Sequence, residues 1–152
     1  MKITLLAVGR MKQGPFLDAA DEYLRRMEWP FALREVECRK QIEGPQKMLE
    51  EGRLLLEALP EGASLIALDE RGKSLTSREF AGLIKQRQDE GCKDLAFAIG
   101  GADGLSDAVR AKSSGIISFG KLTWPHMLAR LMLIEQLYRA QQILKGHPYH
   151  RD

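Results

Sequence analysis

Long apolar runs are missing from these 152 residues. No stretch approaches the roughly 20 uncharged residues of a membrane-spanning helix. The apolar run at 3–8 is too short for a secretory signal and carries no cleavage pattern. A soluble, cytoplasmic protein without a membrane partner is expected. Cysteine is nearly absent as well. Cys38 and Cys92 lie far apart, with no C-x-x-C and no histidine beside either. A disulfide framework or a zinc site needs more ligands at tighter spacing, so reduced thiols and no metal are expected. There is little net charge, because 23 Lys and Arg face 21 Asp and Glu, leaving +2. That argues against a bulk electrostatic binder of DNA or RNA but leaves a local RNA site open.

Two nucleotide-binding signatures are also lacking. Gly9 and Gly14 flank four residues after the first apolar run, yet Pro15 and Phe16 stand where a phosphate loop needs Lys and Ser or Thr. A turn is the better account. No G-x-G-x-x-G follows any strand, which removes the dinucleotide-binding class.

What remains is the composition of an ordinary globular domain, 44% hydrophobic and 29% charged. Its length allows one domain, 1–152, with a sizeable core. Short apolar runs alternate with helix-period segments. The pattern predicts strands at 3–8, 31–38, 64–68, 95–99 and 116–119. Helices are expected over 16–27, 46–59, the stretch after the Thr76–Glu79 capping box up to Gly91, 106–112 and 127–144. Arg34, Glu35 and Glu37 mark the second strand as an edge. Strands alternating with helices predict an α/β fold with a mostly parallel sheet covered on both faces. The last helix carries two apolar stripes, one through Met127, Leu131, Ile134 and Tyr138, the other through Leu133, Leu137, Ala140 and Leu144. Burial against a second subunit explains the extra stripe; so does a helix sunk between sheet and loops.

Chemistry-bearing residues gather late in the chain. Residues 121–152 hold Lys121, Arg130, Arg139, Lys145 and Arg151 against only Glu135 and Asp152, with His126, His147 and His150. Gly100-Gly-Ala-Asp-Gly104 leaves a buried strand, where ligands approach in open α/β sheets; a tight turn needing positive φ reads equally well. Gly120-Lys-Leu-Thr-Trp-Pro125 leaves another strand, so two loops can sandwich a flat ligand. His126 either serves chemistry or caps the turn. The tail His147-Pro-Tyr-His150-Arg151 combines a stacking ring, proton-transfer groups and a phosphate donor.

Taken together, Ile99-Gly-Gly-Ala-Asp-Gly-Leu105, Ser118-Phe-Gly-Lys-Leu-Thr-Trp-Pro-His126, Leu133-Ile-Glu-Gln-Leu-Tyr-Arg-Ala140 and His147-Pro-Tyr-His150 resemble the RlmH family. Its members are bacterial methyltransferases of a 23S ribosomal RNA pseudouridine. The resemblance implies a SPOUT-type fold with a C-terminal trefoil knot and a homodimer. It also implies methyl transfer from S-adenosylmethionine to N3 of pseudouridine 1915 in assembled 70S ribosomes. Carried over by position, it assigns the cofactor to Leu68, Gly100, Phe119, Gly120, Lys121, Leu122, Thr123 and Trp124. His150 or His126 becomes the proton acceptor, Tyr149 the residue positioning the base, and Arg130, Arg139 and Arg151 the RNA contacts. Rival readings are a SPOUT enzyme of transfer RNA, a noncatalytic ribosome-associated factor, and a flavodoxin-like redox module, which would be yellow with flavin.

Overall fold

The computed structural model describes residues 1–151; Asp152, counted above in the basic segment, lies outside them. Five strands, β1 (Lys2–Val8), β2 (Phe31–Val36), β3 (Ser64–Ser74), β4 (Asp94–Ile99) and β5 (Gly115–Ser118), form one sheet in the order β2-β1-β4-β3-β5. All four pairings are parallel. β2 lies at one edge, where Leu33, Arg34 and Glu35 are exposed, as its charges anticipate.

Side-chain alternation divides the core between the two faces of the sheet. From β1, Ile3 and Leu5 enter a cluster with Phe97, Phe80, Ile84, Leu133 and Leu137. This cluster is covered by α1 (Pro15–Arg26), α3 (Ser77–Asp89) and α5 (His126–Leu144). Leu6 and Val8 enter a second cluster with Leu55 of α2 (Pro45–Ala58) and Val109 of α4 (Asp107–Lys112). Because neither face meets water, the strands read as continuous apolar runs.

Local signals explain where the helices start. Pro15 and Pro45 open α1 and α2, where a missing N–H is harmless and φ is already helical. For α3, Glu79 N donates to Thr76 Oγ1 at 3.1 Å, and Thr76 N donates to Glu79 Oε2 at 2.7 Å. This reciprocal cap is the one expected from the sequence.

Most boundaries shift by a single residue, and three of the differences bear on the site. β2 ends at Val36, α5 begins with His126 itself, and β3 continues six residues beyond Leu68 to Ser74. That extension pairs with β5 after a register shift between Leu68 and Lys73. Gly72 makes it possible: a Cβ there would sit 2.6 Å from the Ile117 backbone. Both stripes of α5 are largely used within the chain. Leu133, Ile134, Leu137, Tyr138 and Ala140 are buried, and Met127 and Leu131 pack on the same core. A helix sunk into its own domain therefore accounts for the two stripes without a second subunit.

Candidate functional site

Parallel strands deliver their carboxyl ends to one edge of the sheet, and β3, β4 and β5 build a cleft there of about 720 Å³. Leu68 is in register with Ile99 on one side and Ile117 on the other. The loops leaving these strands are thus forced together. Leu68, Gly100, Phe119, Gly120, Leu122, Thr123 and Trp124 all line the cleft, with His126 at the first turn of α5. Lys121 belongs to the same loop but points to solvent and is not part of the lining.

Steric constraints explain the glycines. A Cβ on Gly100 would lie 2.6 Å from Gly104 O. Gly104, at φ +82, closes the turn by donating its amide to Gly101 O at 3.1 Å. The glycine loop is therefore a tight turn and a cleft wall at once. The second loop is closed by its own bonds. Ser118 Oγ donates to Gly120 O at 2.9 Å, while Gly120 N donates back to the same hydroxyl at 3.1 Å. Trp124 Nε1 donates to Phe119 O at 3.2 Å. Leu122, 72% exposed, and the partly covered Trp124, 38% exposed, stand at the rim as apolar surfaces.

Several cleft residues carry no local signal in the sequence. Asp69 and Arg110 form an ion pair at 3.3 Å on the cleft wall, with Asp107 on the same guanidinium. Met48 reaches the cleft from α2. One turn further along α2, Glu51 is only 4% exposed and lies behind Gly101; its Oε2 is 3.0 Å from where a Gly101 side chain would begin. Among the described residues its Oε1 has no hydrogen-bond partner. Burial pushes this carboxyl above the ordinary range, helped by Asp103 and Glu43 and opposed by Lys47.

Arg130 departs from the RNA-contact role expected of it. The side chain is 1% exposed. Its Nη1 meets Glu35 Oε2 at 2.6 Å, and Nη2 donates to Val8 O and Gly9 O at 3.2 and 3.1 Å. This guanidinium clamps the end of β1 to α5 and is out of reach of a phosphate.

The tail folds back along α5. Tyr149 Oη donates to Glu135 Oε1 at 3.0 Å, and its ring meets Tyr138 edge-on at 4.9 Å. Arg139 lies 4.9 Å over the same ring, holds Glu135 through two donors, and donates from Nη1 to His150 Nδ1 at 3.1 Å. Burial, followed by hydrogen bonding to Tyr23 and the Glu135 charge, pushes the Tyr149 hydroxyl well above the ordinary phenol value. Arg151 is exposed. Within one chain the structure brings His126 to the cleft but leaves Tyr149, His150 and Arg139 on the flank of α5, outside the lining. A second cavity of about 670 Å³ begins at Ser118–Gly120 and runs past Leu128, Leu131 and Met132 to Glu135.

A parallel α/β sheet with two loops crossing its carboxyl edge suits a methyltransferase, and residues 1–150 match the family described as "Predicted SPOUT methyltransferase". The chain belongs to that class of enzymes. Over 151 residues and 99% of each chain, it is 52% identical to ribosomal RNA large subunit methyltransferase H of Rhodospirillum centenum. The protein of the same name from Paramagnetospirillum magneticum is 50% identical over the same length and coverage. At this level the chain is a member of the RlmH family. Solved structures agree on the fold. A probable methyltransferase from Bordetella pertussis Tohama I superposes with a TM-score of 0.60 at 16% identity, over 91% of this chain and 95% of that one. A probable methylase family protein from Haemophilus influenzae gives 0.54 at 11% identity, over 99% and 70%.

Proposed function

We propose that this protein transfers a methyl group from S-adenosylmethionine to N3 of pseudouridine 1915 in 23S ribosomal RNA. It would act in the cytoplasm, on assembled 70S ribosomes, as a homodimer of one-domain chains (1–152) whose C-terminal part forms a trefoil knot. The observation that carries the reading is the cleft, where seven of the eight residues that the family resemblance assigns to the cofactor line a single cavity.

The cleft suits the donor. Leu68 and the exposed Leu122 offer apolar walls to an adenine ring. The bare backbone at Gly100 permits close approach. Because Phe119 O and Gly120 N are already bonded, the backbone at Lys121, Leu122 and Thr123 is what remains to meet the adenine edge and ribose. When bound, S-adenosylmethionine supplies a methyl group on a positively charged sulfur.

Everything else falls to the chain. An imide nitrogen attacks poorly while protonated, so the site must hold N3 in line and accept its proton. His126 lines the cleft and is one candidate acceptor. His150 is the other, although Arg139 donates to its Nδ1, and acceptance at that atom requires this contact to open. Tyr149 would position the base, while Arg139 and Arg151 meet phosphate or stabilise the developing anion. Because a single chain keeps Tyr149 and His150 out of its own cleft, the tail of a second copy would complete each site. The apolar cavity along Leu128, Leu131 and Met132 gives that copy a surface to cover. With a net charge of only +2, the enzyme suits a substrate recognised by shape in the whole ribosome rather than by bulk attraction to free RNA.

The test is incubation of the purified protein with methyl-labelled S-adenosylmethionine and ribosomes lacking the modification, with free ribosomal RNA and transfer RNA in parallel. Label in 23S RNA of intact ribosomes is the expected result. Label only in transfer RNA would keep cofactor and fold but replace the substrate, and cofactor binding without label would indicate a noncatalytic factor.

A further inference from the structure

We infer that the loop 9–14 after β1, joined by Arg39 from the neighbouring loop, is a docking surface for the phosphate backbone of the RNA substrate. The inference rests on the reading above that the substrate is RNA. β1 lies between β2 and β4, so this loop leaves the sheet at the cleft's own edge. Val8 Cγ1 lies 3.1 Å from where a Gly101 side chain would begin, and Met127 Cε lies 3.7 Å from the corresponding point on Gly9. The loop is thus wedged between the glycine turn and the first turn of α5, both next to the cleft.

It is also held rigidly. Met11 is buried in the core, and its amide donates to Glu35 Oε2 at 2.7 Å. Glu35 is itself gripped by the buried Arg130, which also takes Val8 O and Gly9 O. With Met11 fixed inward, its neighbours Arg10 and Lys12 are both exposed. Arg39 is exposed on the adjacent loop, which Gly9 N joins to β2 by donating to Val36 O at 2.8 Å.

Among the described residues, Arg10, Lys12 and Arg39 lie within 4.0 Å of no carboxylate. Several helix cations, by contrast, are neutralised: Arg25 and Arg26 pair with Glu22, Arg53 with Glu50 and Glu57, and Lys85 with Asp89. The loop 9–14 contains no acidic residue at all. A preorganised pair of unneutralised cations beside a methyl-transfer cleft matches a polyanion, and such contacts set register without reading bases. The segment that fails as a nucleotide phosphate loop thus acquires a role as a basic finger.

The test compares the full-length wild type with Arg10→Glu/Lys12→Glu for labelling of ribosomes. The KM for ribosomes should rise at least tenfold, with kcat at saturating ribosomes and S-adenosylmethionine affinity within twofold of wild type. The slope of log KM against log salt should flatten by about 1.5, from about 0.7 to 0.9 for each lost phosphate contact. The charge-preserving Arg10→Lys/Lys12→Arg should restore KM. Lys93→Glu/Lys112→Glu makes the same charge change at exposed positions on the opposite edge and should leave it alone. An unchanged KM, or an equal rise in the opposite-edge variant, overturns the inference. So does a raised KM that keeps the wild-type salt slope, because a lost phosphate contact must flatten it. Failure of the wild type to label any RNA defeats the functional reading alone. Fluorescence anisotropy of labelled 23S fragments with the same variants then decides the surface.

Discussion

Arg130→Ala separates an architectural guanidinium from an RNA-contacting one. The substitution removes a 2.6 Å ion pair with Glu35 and two hydrogen bonds to the carbonyls of Val8 and Gly9. Breaking a fully buried pair costs about 3–5 kcal/mol. The Glu35 side chain is 29% exposed, so water recovers part of that loss. The two carbonyl bonds contribute about 1 kcal/mol each, and the excised side chain leaves a void at the end of β1. A destabilisation of about 3 kcal/mol is expected. With a slope of about 1.5 kcal/mol per molar urea, the unfolding midpoint should fall by about 2 M with the slope itself unchanged. Urea titration followed by far-UV circular dichroism measures this. Arg130→Lys keeps the charge but loses the fork, and should lie between the two. If Arg130→Ala unfolds at the wild-type midpoint while its KM for ribosomes rises, the buried clamp is wrong and the side chain contacts RNA.

Other expectations concern the cleft and the tail. Gly100→Ala places a Cβ against Gly104 O at 2.6 Å, so calorimetry should show cofactor affinity reduced at least tenfold. Glu51→Gln removes a buried carboxyl whose ionisation is opposed by burial. A raised carboxyl value means stability present at acid pH and lost as pH climbs through it. The variant should therefore melt higher than wild type at pH 7, with the gap closing towards pH 4; a gap that widens on acidification would contradict the assignment. Tyr149→Phe deletes the bond to Glu135 and should cost about 1 kcal/mol while sharply lowering methyl transfer. Its raised phenol value makes the wild type lose stability above about pH 10, a loss the phenylalanine variant should lack in alkaline melts.

Helix phase explains why some of this was legible and some was not. The runs at 3–8 and 95–99 are strands buried on both faces, and continuous apolar sequence is how such strands read. The cap at Thr76 and Glu79 is local chemistry at fixed spacing, so it too was visible. Glu50 and Glu51 are indistinguishable by type, yet one meets Arg53, which holds its carboxyl down to about 2, while the other is turned inward and pushed up. Arg130 looked like a phosphate contact because its partner, Glu35, is 95 residues away and no local pattern announces it. The second half of β3, Asp69-Glu-Arg-Gly-Lys-Ser74, is polar and reads as loop; it pairs only because Gly72 lets the β5 backbone come close. Composition marked the two loops at the carboxyl ends of β4 and β5 and the tail, but only the fold shows that one chain keeps the tail out of the cleft those loops line.

N3 lies on the pairing face of pseudouridine, and a methyl group there blocks Watson–Crick pairing. Primer extension across 23S RNA from ribosomes lacking the modification, incubated with the protein and S-adenosylmethionine, reads this directly. A new stop adjacent to position 1915, dependent on both protein and methyl donor, is the predicted result. Read-through at that position alongside a donor-dependent stop elsewhere, or no stop despite methyl incorporation, would contradict it.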